Sequence, residues 1–169
     1  MSYTKRIVQG AVLVALALAL SYIERFIPLQ LLIPLPGVKL GLANVVTLIA
    51  LYLLGTRQAF TILVLRCVLG ALFGGGITGL WFSLAGGILA MAVMASCRRV
   101  PFFSIYGVSV LGAAAHNVGQ ILVAMALMRS PHIALYLAYL LGVAVCTGLA
   151  TGAGGAGVLR VLRTKAVTS

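Results

Sequence analysis

The chain has 169 residues, 63% of them hydrophobic and only 8% charged, with one acidic residue, Glu24, against twelve Lys and Arg. A soluble domain is excluded, because its polar shell needs about 25% charged residues. The absence of aspartate also argues against carboxylate-held magnesium, carboxylate general bases and acid-lined proton relays.

Taken in chain order, the first predicted element covers residues 7–26 behind Lys5 and Arg6. It imitates a secretory signal peptide, with small residues Ala17 and Ala19 at a plausible cleavage site. Everything downstream is equally apolar, so the segment reads as a retained first transmembrane helix. Ala11, Ala15 and Ala19 recur every four residues and form one stripe that another helix can approach closely. Packing within the chain and docking of a separate membrane protein are both open for it. Next, Pro28, Pro34 and Pro36 rule out a regular span and predict a partly re-entrant loop or short lid before Lys39.

The second and third predicted spans, 40–54 and 59–73, are short for a membrane crossing of about 20 residues. Asn44 lies in the second, and Lys39 at its mouth suits either snorkelling or a ligand clamp. Arg66 sits near the middle of the third, where a charge costs roughly 3 kcal/mol. Either a structural pair with Glu24 or free carbonyls explains it, or an anionic ligand does, with Gly70 leaving room one turn later. The fourth span is 78–96. The fifth, 105–128, carries His116, Asn117 and Gln120 within one turn, as interhelical stitches or as a patch that reads a polar solute. The sixth is 133–153, with an extension to Val161. The small pairs Gly75/Gly79 and Gly148/Gly152 have the same ambiguity as the alanine stripe. Trp81, Tyr22 and Tyr136 fit interfacial anchors.

Basic loop residues set the orientation. With the amino terminus inside, Lys5, Arg6, Arg57, Arg98, Arg99, Arg160, Arg163 and Lys165 collect on the cytoplasmic side, and Arg25, Lys39 and Arg129 remain outside. The expected architecture is therefore all-α: one integral membrane domain over 1–169, six transmembrane helices and both termini cytoplasmic. The outer loops (the proline-rich stretch, Gly74 to Gly76 and Arg129 to His132) are irregular, which predicts a site open to the outside. Scattered cations argue against nucleic acid. Cys67, Cys97 and Cys146 read as buried thiols, with neither disulfide nor metal spacing. The GxGxxG match at 152–157 lacks a preceding strand and a following acid, and no GxxxxGK[ST] loop is present.

The stretches LPGVKLGLANVVTLIALYLLG (35–55), LRCVLGALFGGG (65–76), FSLAGG (82–87) and GAAAHNVGQ (112–120) resemble the Gx transporter family, also called heptaprenyl diphosphate synthase component I. That family is grouped with the substrate-binding S components of energy-coupling factor (ECF) transporters. The resemblance implies a six-helix bundle in a prokaryotic plasma membrane, with a ligand pocket near its outer face. It also implies docking of a coupling transmembrane subunit, itself joined to two ATPase subunits, on an alanine stripe matched here by Ala11, Ala15 and Ala19. Lys39, Asn44, Arg66, His116, Asn117 and Gln120 fall within the matching motifs and are the expected solute contacts. The expected function is that of an S component for a small polar or anionic solute, such as a vitamin or prenyl precursor, with no cofactor and no catalysis of its own. The alternative is a membrane accessory subunit of a polyprenyl diphosphate synthase, whose chemistry needs aspartate-rich motifs that this chain lacks. An ion-coupled carrier is weakened by the dearth of carboxylates.

Overall fold

The computed structural model describes residues 3–26 and 39–167, and the described residues contain α-, 3₁₀- and π-helix but no strand. The proline-rich loop expected before Lys39 lies outside them. Six α-helices follow in order: α1 Tyr3–Ile23, α2 Asn44–Leu54, α3 Thr56–Gly70, α4 Gly76–Cys97, α5 Ile105–Met128 and α6 Leu135–Val167. Their positions follow the apolar segments read from the sequence, and α5 has the expected bounds.

Among the described residues, four stretches are long and apolar enough to cross a membrane: Thr4–Ile23, Thr56–Cys97, Ile105–Met128 and Pro131–Leu162. The second of these contains both α3 and α4. Phe73 and Gly74 leave helical backbone there, Gly76 turns to φ 64, and α3 packs back against α4. With 11 residues, α2 is only about 16 Å long, well short of a bilayer's hydrocarbon core. The bundle exterior is itself apolar, with Ile77, Phe102 and Leu135 each more than three-quarters exposed, as expected of a surface that meets lipid.

Local chemistry sets several helix ends. The Ser104 hydroxyl accepts from the Gly107 amide and caps α5, whose other end turns at Arg129 in a left-handed conformation. Gly55, at φ 87, is the single residue between α2 and α3. At the same end, Arg98 donates to the Leu51 carbonyl and stacks its guanidinium 5.0 Å from the Tyr52 ring centroid. A cation there satisfies a carbonyl that the helix terminus leaves open.

Glycine permits the closest helix approaches. A Cβ on Gly119 would lie 2.6 Å from the Ala85 carbonyl oxygen, and one on Gly148 would lie 2.5 Å from the Val110 Cα. Both obstacles are backbone, so α4, α5 and α6 form the tightest part of the bundle. Gly148 and Gly152 are thus packing positions between α6 and α5, whereas nothing lies within 4 Å of a Cβ on Gly79. Gly119→Ala is expected to destabilise by about 1–3 kcal/mol, the usual cost of overpacking, and a thermal melt in detergent compared with Gly79→Ala reads the difference.

At the edge of the bundle α1 packs on α2 and α3. Its Leu13, Val14 and Ala17 are buried against them, while Ala11, Ala15 and Ala19 are exposed. Among the described residues, nothing covers the alanine stripe. Cys67 is buried as expected, but Cys146 faces outward from α6, because its neighbours on α5 pack against the Gly148 and Gly152 face instead.

Candidate functional site

Two apolar clusters divide the interior. One gathers Leu13, Leu48, Leu63, Met91 and Val108, and the other gathers Phe82, Ile121, Ala124, Ile133 and Leu140. Along α4, Ser83, Gly86 and Gly87 fall between Phe82 of one cluster and Ala90 of the other. His116 and Gln120 hold the corresponding place on α5. The seam is polar: Glu24, Asn44, Thr47, Arg66, Ser83, His116 and Gln120 are all buried. His116 stands midway along the 24 residues of α5, about 17 Å from its start.

Side chains from five segments meet in this seam. Arg66 of α3 is 6% exposed and donates through Nη2 to Asn44 Oδ1 at the start of α2, at 3.0 Å. Lys39 donates from Nζ to Ser83 Oγ at 3.2 Å and from its backbone amide to Gln120 Oε1 at 3.3 Å. Gln120 Nε2 and His116 Nε2 lie 3.0 Å apart. The carboxylate of Glu24, just past α1, accepts the Gly41 amide at 2.5 Å. Lys39 and Arg66 are close enough for their charges to act on it.

The sequence pairing of Arg66 with Glu24 thus takes another form. Arg66 bonds to Asn44, and Glu24 fixes the backbone at Gly41, so the one carboxylate shapes the turn that leads into α2. Gly41 has φ 80 and passes so near the cluster that a Cβ would lie 2.9 Å from Asn44 Nδ2 and 3.0 Å from His116 Cδ2. Space beside Arg66 comes from Gly87, where a Cβ would lie 3.5 Å from Nη2; Gly70 instead faces Leu18 of α1. Gly86 holds its backbone against the imidazole, with a Cβ there 2.7 Å from His116 Nδ1.

Of the six expected solute contacts, five converge: Lys39, Asn44, Arg66, His116 and Gln120. Asn117 diverges, donating from Nδ2 to the Leu140 carbonyl at 2.8 Å and tying α5 to α6. Glu24, Gly41, Ser83, Gly86 and Gly87 belong to the same place without having been singled out as contacts. The FSLAGG stretch carried the signal for three of them, a hydroxyl followed by paired glycines inside an apolar span.

Among the described residues, several buried polar atoms in the seam have no hydrogen-bond partner: Asn44 Nδ2, Thr47 Oγ1, Arg66 Nε and His116 Nδ1. Each such group costs about 1–3 kcal/mol when left unsatisfied. Donors therefore outnumber the partners the fold supplies, around two cations, which is an arrangement suited to an anionic or acceptor-rich guest. Among the described residues no three His, Cys, Asp or Glu side chains gather in a metal-holding group.

An apolar groove of about 570 Å³ runs between α1 and α3. Gly10, Ala11, Ala15 and Leu18 form one wall, Ile62, Leu65 and Leu69 the other, and Arg6 and Gln58 lie at one end. Two members of the alanine stripe thus line an open, unfilled face.

A protein-family model described as heptaprenyl diphosphate synthase component I matches residues 13–158, a span that includes the whole polar seam. No curated protein and no solved structure is significantly similar to the chain.

Proposed function

Because the chain belongs to the heptaprenyl diphosphate synthase component I family, we propose that it is the membrane-embedded subunit of a larger assembly and holds a small polar or anionic solute in its buried seam. One observation carries this reading: among the described residues, the buried Arg66 has one side-chain acceptor, Asn44, and an unpartnered Nε. A charge so placed is costly, and an anionic guest accounts for it better than one neutral amide does. Asn44 would orient the guanidinium, Lys39 would add a second charge, and the His116–Gln120 pair would read the solute's polar edge.

In its S-component form, with six helices spanning a prokaryotic plasma membrane and both termini cytoplasmic, the chain captures the solute and a coupling subunit with two ATPases drives its release. The exposed Ala11, Ala15 and Ala19 stripe is the docking face of this reading. Ala15→Trp is expected to abolish co-purification of that coupling subunit while leaving the melting temperature unchanged, since the position is exposed. Undiminished assembly would count against the docking face.

The family description favours a second reading, in which the chain is a non-catalytic membrane partner of a polyprenyl diphosphate synthase. The chain supplies no aspartate, and its one carboxylate holds the Gly41 amide, so elongation would occur on the partner. Co-purifying synthase activity that falls when Arg99 is neutralised would support it. Arg98 is unsuitable for that test, because it caps α2 through the Leu51 carbonyl.

A further inference from the structure

A cavity of about 400 Å³ opens between α2, α5 and α6, lined by Tyr52, Ile105, Ala156, Leu159, Arg160 and Thr164. It is separate from the polar seam. Tyr52 lies eight residues beyond Asn44 on α2, about 12 Å along the helix. Leu159 is buried and Ile105 and Ala156 half-buried, so the floor is apolar, while Arg160 and Thr164 are exposed at the rim. A second guanidinium lies over the ring of one lining residue: Arg98 stacks on Tyr52 and is held there by the Leu51 carbonyl.

We propose that this cavity binds the phosphate headgroup of an anionic membrane lipid between Arg160 and Arg98, with the hydroxyl of the lining residue Tyr52 donating to a phosphate oxygen and the lipid's first methylenes on the Ile105–Ala156–Leu159 floor. Guanidinium forks match phosphate oxygens, and basic pockets between membrane helices commonly take such headgroups. The apolar floor favours a lipid over a free anion, because a soluble phosphate would leave it uncovered.

The test is thermal unfolding of the detergent-purified full chain, titrated with phosphatidylglycerol, phosphatidylcholine or inorganic phosphate. Phosphatidylglycerol is expected to stabilise saturably. Its half-saturating concentration should rise about tenfold or more in Arg160→Gln, the usual loss for one charge-assisted contact. Arg99→Gln, a cation that does not line the cavity, should stay within about twofold of wild type, well below the loss of one such contact. Tyr52→Phe, which keeps the ring under Arg98, provides a second variant and should weaken binding several-fold. Equal stabilisation by phosphatidylcholine or by inorganic phosphate would overturn the proposal, as would equal losses in Arg160→Gln and Arg99→Gln or an unchanged titration in Tyr52→Phe.

Discussion

Arg66→Met is expected to leave the bundle at least as stable as the wild type in a detergent melt. A guanidinium at membrane depth costs about 2.5–3.5 kcal/mol on insertion scales. Its bond to Asn44 Oδ1 at 3.0 Å returns about 1.5–3 kcal/mol, and the unpartnered Nε adds to the cost. The variant in turn leaves Asn44 Oδ1 without its donor, at about 1–3 kcal/mol, so the terms nearly cancel, and methionine keeps an unbranched side chain that fills the same space. A structural arginine behaves differently, because breaking a buried charge pair typically loses about 3–5 kcal/mol. A melt that falls by that much would assign Arg66 to the scaffold and remove the main support for a solute site.

Gly41→Ala should damage both stability and the site. Its φ of 80 costs an L-residue about 1–2 kcal/mol. The new Cβ would also press on Asn44 Nδ2 at 2.9 Å and on His116 Cδ2 at 3.0 Å, adding about 1–3 kcal/mol of overpacking. Gly55→Ala is the comparison for strain without contact: at φ 87 and ψ 175 its backbone is in an essentially glycine-only region, yet nothing lies within 4 Å of the added Cβ. A larger loss at Gly41 than at Gly55 reads the contact. If they are equal, Gly41 is only a turn residue and its approach to Asn44 and His116 has no energetic weight.

Hydropathy alone located the six helices, because 3.6-residue periodicity matters little when most faces are apolar and segment length is the signal. The bounds of α5 were legible because Ser104 and Arg129 delimit it with a cap and a left-handed turn. The shortness of α2 was less so, since residues 40–43 are as apolar as a helix but are used for the turn at Gly41. In the site, Arg66, His116 and Gln120 stood out as polar groups in greasy spans. Their convergence with Lys39 rests on contacts between residues 44 and 81 positions apart, which no local pattern encodes. Asn117 shows the opposite limit. It adjoins His116 in sequence, but one helical step of about 100° turns its amide to Leu140 on α6.

The most direct test of a solute-holding membrane subunit is mass spectrometry of small molecules released from the natively purified chain, wild type beside Arg66→Met. The account predicts a near-stoichiometric anionic or polar compound in the wild type that is absent from the variant. Contradiction would come from no retained compound, or from the same compound retained equally by both.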